Sequence, residues 1–185
     1  HIFAKNEHDL FFTQGYMAAK DRLFQFEIWR RQATGTMAEI FGEKELDRDK
    51  GIRLFKFRGD KKSEFSHYHP RGELIIDSFV EGVNTYISEA LQSPENLPVE
   101  FKLLGILPEL WTWEVVISRH QGLLETVKDE LKFSRIVSLI GAEKTKEIHY
   151  FHPNEPILDL DKSIPTALLF KDILAPYNAF RKSMT

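Results

Sequence analysis

Residues 11–42 read FFTQGYMAAKDRLFQFEIWRRQATGTMAEIFG. Together with Leu10 just upstream, Met17, Phe24 and Ile28 recur at helical intervals, while Leu23, Phe26 and Trp29 widen the apolar face beyond a single stripe. Asn6 can cap this segment with Asp9 three residues on, so a helix is predicted to begin at residue 7. Gly15 either breaks that helix or packs closely on a neighbour, and Gly35 is a good terminator. The same stretch carries Gln14, Asp21, Arg22, Gln25, Arg30 and Arg31. A helix this rich in both aromatic and charged side chains is expected to be buried on several sides, with its polar groups paired. Pairing across the interface to an obligate partner is one expectation; caps and bridges among local helices are the other.

Outward from this stretch, helical signals dominate. Residues 36–58 read as short helical pieces punctuated by Gly42 and Gly51, and GDKKSEFSHYHPRG as a polar, turn-rich connection. The clearest helix follows Pro70, where Ile76, Val80, Val83, Ile87 and Leu91 step by three or four, until Ser93-Pro94 ends it. LPVEFKLLGILPELW is an apolar connector laid over the core. Thr112 can cap a helix running to about residue 122. Thr126-Val127-Lys128-Asp129 has the form of a capping box opening a helix that Gly141 closes. AEKTKEIHYF is a further short helix, HPNEPILDLDKSIP is extended, and ALLFKDILAPYNAFRKSM is an amphipathic helix kinked at Pro176. The expected class is predominantly α, with room for one or two short strands, in a single unit over residues 1–185.

With 185 residues the chain is long enough for one domain. A net charge of −3 gives no global reason to bind nucleic acid or an anionic membrane. No apolar run approaches the roughly 20 residues needed to span a bilayer. Cysteine is absent, which excludes disulfides, thiolate metal sites and a cysteine nucleophile within the chain. The start at His1 without an initiator Met reads as a processed or trimmed product.

Chemistry-bearing patterns are sparse. His67-Tyr68-His69 and His149-Tyr150-Phe151-His152 pair imidazoles, but a catalytic zinc site needs three protein ligands and H-E-x-x-H is missing, so turn or capping roles are the commoner reading. No G-x-S-x-G, S-x-x-K, G-x-G-x-x-G or P-loop pattern occurs. Asp159 and Asp161 could meet a hard cation, though solvated turn carboxylates are commoner. Glu125, Asp129 and Glu130 gather at a helix start, where negative charge suits the helix dipole; the sharper reading gives one of them to a calcium ion completed by other segments. The residues alone thus show no self-sufficient active site. The 15 Phe residues and the apolar excess favour a partner that completes the core.

An ordered series of residues resembles the N-terminal segment of the penicillin acylase (penicillin amidase) family. It comprises Gln14-Gly15-Tyr16, Asp21-Arg22-Leu23, Gln25, Arg30-Arg31, Gly35, Ala38-Glu39 and Phe41-Gly42. It continues through Leu46-Asp47, Glu81-Gly82-Val83-Asn84, Tyr86-Ile87, Leu97-Pro98, Phe101, Leu103-Leu104-Gly105, Pro108 and Trp111-Thr112. Asp129-Glu130-Leu131, Arg135 and the DILAPYNAFRK tail complete it.

The resemblance implies the α subunit of a secreted or periplasmic precursor that cleaves itself into two chains. With the β subunit, such a chain completes the four-layer αββα sandwich of N-terminal nucleophile hydrolases. The catalytic group is then the N-terminal Ser of the β chain, with none in this chain, and the substrate is a small-molecule acyl amide: a β-lactam side chain, an acyl-homoserine lactone or an acylated peptide. Two contributions are implied here. Glu130 is the calcium ligand of this chain, and Leu123, Leu124, Val127 and Lys128 are the candidates for the acyl pocket. The family's penicillin G acylases use a Met and an Arg-Phe pair there; with no aromatic among the four, an aliphatic acyl group fits as well as a phenylacetyl one. The competing expectation is a non-catalytic helical binding module or an inactive family member.

Overall fold

A computed structural model describes residues 1–118 and 126–181. These residues form eleven α-helices with two short 3-10 turns, and no strand occurs among the described residues. The predominantly α expectation holds, and the one or two short strands are not found among the described residues. The chain divides into two compact units, His1–Gln121 and Gly122–Thr185.

In the first unit, α1 (Glu7–Thr34) starts where Asn6 predicts: its side-chain oxygen accepts the Asp9 backbone N–H at 2.8 Å, and its amide donates to the Asp9 carboxylate. Gly35 ends the helix at φ 70°, with its N–H on the Arg31 carbonyl. Gly15 does not break α1. It packs on α5 (Gly72–Ala90), where a Cβ would collide with the Phe79 carbonyl, and a Cβ on Gly82 would collide with that of Phe12. Two glycines on facing helices thus bring the backbones into contact, and this crossing is the spine of the unit. Ala19, Leu23, Phe26, Val83, Ile87, Phe101, Trp111 and Val115 form the core around it. Phe26 stacks on Trp111 with ring centroids 4.7 Å apart, and Phe24 meets Phe101 edge-on at 5.5 Å.

Several expectations are corrected around that spine. Gly42 separates α2 (Ala38–Phe41) from the next turn, but Gly51 lies inside α3 (Leu46–Phe55), buried and helical. The polar connection contains α4 (Lys61–Tyr68): Asp60 caps it by accepting the Ser63 N–H at 2.8 Å, and Phe65 is buried. A single large apolar anchor and one cap suffice where the surrounding polarity suggests a loop. The apolar connector behaves as expected, with α6 (Val99–Leu104) burying Phe101 and leading to α7 (Trp113–Ser118).

In the second unit, α8 (Val127–Ile140) and α9 (Ala142–Ile148) meet at Gly141, φ 84°. Thr126 is already in helical conformation and its side chain makes no capping bond, so the capping-box reading fails. The tail is two short helices, α10 (Thr166–Leu169) and α11 (Ala175–Arg181). Pro176 sits in the first turn of α11, where its missing N–H costs no helical bond, so it opens a helix instead of kinking one. Arg135 of α8 donates from Nε to the Leu169 carbonyl and from Nη2 to that of Lys171, which fastens the end of α10 to α8.

Candidate functional site

The charged groups near the C-terminal end of α1 find partners within the first unit. Glu27 is fully buried; its carboxylate accepts from Arg30 Nε at 3.0 Å and Nη2 at 2.8 Å, from Arg31 Nε at 2.7 Å, and from the Glu109 backbone N–H at 3.1 Å. Arg31 also pairs with Glu39 at 2.7 Å, and Arg30 with Glu109 at 3.1 Å. Burial opposes the charge on Arg30, yet the hydrogen bonds and attraction of Glu27, then Glu109 and Glu39, raise its pKa overall. Next to this network the carboxylate of buried Asp49 accepts the Met37 and Ala38 N–H groups, at 3.0 and 2.8 Å. Arg30 and Arg31 therefore bridge local elements; the interface expectation does not apply to them. Asp21 and Arg22 are exposed and pair with each other. The carboxylates of Glu27, Asp49 and Glu109 were not anticipated, although Glu27 lies three and four residues before the two arginines, the spacing at which helical ion pairs form.

In the second unit, Asp129 and Glu130 occupy the first turn of α8. They line a cavity of about 460 Å³ with Asp159 and with Phe133, Phe151 and Leu158. Glu130 is exposed, its N–H bonds the Thr126 carbonyl at 2.9 Å, and no ion pair engages its carboxylate among the described residues. Asp161 is held below the ordinary carboxyl range, chiefly by the Ser163 backbone N–H, as in a solvated turn. Val127 is half-buried; Lys128 is exposed, with its ammonium 6.0 Å from the Tyr177 ring centroid. Leu123, Leu124 and Glu125 lie outside the described residues.

The histidine pairs do not converge. His69 Nδ1 accepts the Arg71 N–H at 3.0 Å in a turn, and His149 packs between the rings of Phe133 and Phe151. Among the described residues no three His, Asp or Glu side chains are grouped to hold a metal, and no helix is long and apolar enough to cross a membrane.

The family model described as penicillin amidase matches residues 1–167. This chain belongs to the penicillin amidase family. Penicillin G acylase of Escherichia coli is 34% identical over 112 residues, covering 60% of this chain and 13% of that protein. The penicillin acylase 2 proenzyme of Pseudomonas sp. (strain SE83) is 29% identical over 178 residues, 95% of this chain and 22% of its own length. The acyl-homoserine lactone acylase QuiP of Pseudomonas aeruginosa is 27% identical over 152 residues, 80% and 18%. The chain thus spans between 13% and 22% of the length of these relatives. Among solved structures, a thermostable penicillin G acylase from Alcaligenes faecalis superposes with TM-score 0.61 at 22% identity, over 85% of this chain and 90% of that one, which shows a shared fold.

Several residues that carry the family resemblance have structural work to do. Gly15 and Gly82 permit the α1–α5 crossing, and Arg30, Arg31 and Glu39 belong to the buried charge network. Asn84 brackets the Trp111 backbone, donating to its carbonyl at 2.9 Å and accepting its N–H at 2.7 Å. Arg135 ties α10 to α8.

Proposed function

We propose that this chain is the α subunit of an acylase that hydrolyses linear acyl amides, and that the nucleophile is the N-terminal Ser of a separate β chain. The match of the penicillin amidase family over residues 1–167 carries this reading, and the name proenzyme borne by one relative supports processing into chains. In the reaction, the β-chain Ser hydroxyl attacks the amide carbonyl while its own α-amino group, with an ordinary pKa of about 8, takes the proton. The α-ammonium returns that proton to the leaving amine, whose departure leaves an acyl-enzyme; water, deprotonated by the same amino group, then opens it to the acid and free Ser. Penicillin acylases and an acyl-homoserine lactone acylase among the relatives support β-lactam side-chain amides and acyl-homoserine lactones as substrates, with acylated peptides the third class. In the same reading the two chains complete an αββα sandwich and act in the periplasm or outside the cell.

Leu123, Leu124, Val127 and Lys128 are proposed to supply this chain's wall of the acyl pocket. Aliphatic side chains there suit an alkyl acyl group, so Leu124→Phe is expected to shift preference toward aromatic acyl groups. Unchanged kcat/KM ratios across chain lengths would remove Leu124 from the pocket.

Calcium is proposed as a structural ion held in part by Glu130. The donor chemistry fits: a hard cation takes six to eight oxygens, and Glu130 presents an exposed carboxylate on a cavity edge with Asp129 and Asp159. The remaining oxygens must come from elsewhere, since no metal-holding group of three is complete among the described residues. Glu130→Ala is expected to lower calcium content of the purified protein at equal free calcium; equal content in both would return Glu130 to a helix-end role.

The decisive experiment separates the native protein on a denaturing gel and sequences the N terminus of any second band. A second chain beginning with Ser, together with acid release from an acyl-amide panel, is the expected result. A sole chain that is compact and melts cooperatively would point to the helical binding module.

A further inference from the structure

His8, in the first turn of α1, stands between two carboxylates. Its Nδ1 is 3.3 Å from Asp9 Oδ1 on the same helix, and its Nε2 is 3.1 Å from Glu81 Oε2 on α5. A neutral imidazole has a single N–H, so one of the two carboxylates would face a ring lone pair; the imidazolium donates to both. We propose that His8 is a proton-operated brace: as an imidazolium it donates to Asp9 and Glu81 at once and steadies the first turn of α1 against α5, and loss of the proton leaves one N–H for two carboxylates and loosens that turn.

The charged groups around His8 on the two helices are Asp9, Glu81 and the Glu7–Arg71 pair. Asp9 is fixed from behind by Asn6, which donates to its Oδ2 at 3.0 Å. Glu7, the adjacent acid on α1, pairs at 2.8 Å with Arg71, the residue before α5, and this second tie holds in both states of His8. The other contact of the ring is apolar, with the Phe12 centroid 6.0 Å away. The hydrogen bond to Glu81, then that to Asp9, raises the His8 pKa above its ordinary value. A raised folded-state pKa means the contribution is fully present below the unfolded value of about 6.5 and is lost as pH rises through the higher folded value. The groups are largely exposed, so the loosening is slight and confined to this turn. The glycine crossing begins at the next turn, where the Phe12 carbonyl meets Gly82; the titrating group there is Tyr16, whose hydroxyl donates to Glu89 at 2.6 Å and is pushed above its ordinary range by that bond, so it stays protonated where His8 titrates.

The test titrates the intact protein with ¹³C-labelled histidine, using His8→Gln to assign the resonance. The expected midpoint lies above 6.5, and Glu81→Gln brings it down. Amide exchange at residues 10–13, corrected for its intrinsic pH dependence, should show an added acceleration across that midpoint which His8→Gln abolishes. A midpoint unmoved by Glu81→Gln, or an exchange step that persists in His8→Gln, would overturn the brace.

Discussion

The first unit has the deeper core, with Phe65, Val83, Ile87 and Phe101 at most 1% exposed, although Phe3 and Leu103 on its surface are 94% and 78% exposed; in the second, Leu131, Leu169 and Tyr177 are buried while Ile148, Tyr150 and Ile157 are between 69% and 88% exposed. The charges differ in the same sense. Glu27, Arg30 and Arg31 are buried and mutually satisfied, while Asp129, Glu130 and Asp159 stand at a cavity edge in water. Long helices explain part of the contrast. The 28 residues of α1, kinked at Arg22 (φ −140°, ψ 41°), and the 19 of α5 give each other a long partner face, and the 4 to 14 residues of the helices in the second unit do not. A segment that closes its own core can bury charge because neighbouring groups are held in place to meet it. Short helices bury fewer side chains completely, and both units leave apolar surface open.

The largest expected effect lies in the charge network. Glu27→Ala leaves two buried guanidiniums with the more exposed carboxylates of Glu39 and Glu109 and, for Arg31, the Thr36 carbonyl, and should cost about 3–5 kcal/mol in urea unfolding; a loss under about 1 kcal/mol would show that the first unit does not depend on this network. Next comes the crossing of α1 and α5. Gly82→Ala forces the Phe12 backbone away and should cost about 1–3 kcal/mol, read as a lowered Tm; a neutral result would mean the helices part freely. The smallest effect is expected in the second unit. Ile157→Ser on the isolated chain should change stability by less than about 0.5 kcal/mol. If the same substitution costs more than about 1 kcal/mol in the native protein, the open face of the second unit is covered there, and the contrast between the units belongs to this chain alone.

Readability of the sequence followed the range of the forces involved. Asn6 capping at Asp9 and the left-handed stop at Gly35 depend on a few neighbouring backbone groups, and both are where the pattern puts them. The stepping of Ile76 to Ile87 marks α5 for the same reason. Helix α4 was missed because its polar residues outnumber the one anchor, Phe65, whose burial depends on Trp113, 48 positions on; the rings meet edge-on at 5.5 Å. Thr126 was misread because a capping pattern specifies residue types and not the backbone angles that make a cap. At the candidate site, the resemblance singled out Glu130, and the structure adds the cavity it shares with Asp129 and Asp159. Val127 and Lys128 were legible only as members of a helix start.

By itself the sequence determined the helical class, the span of the two long helices and the family, because periodicity, caps and an ordered series of residues are one-dimensional signals. Only tertiary structure decided which role Gly15 plays and where the charges of α1 go. A glycine breaks a helix or admits a neighbour according to what stands opposite, and here that is the Phe79 carbonyl. A buried arginine is tolerated only if its partners arrive from other elements, and Glu109 reaches Arg30 from 79 positions away.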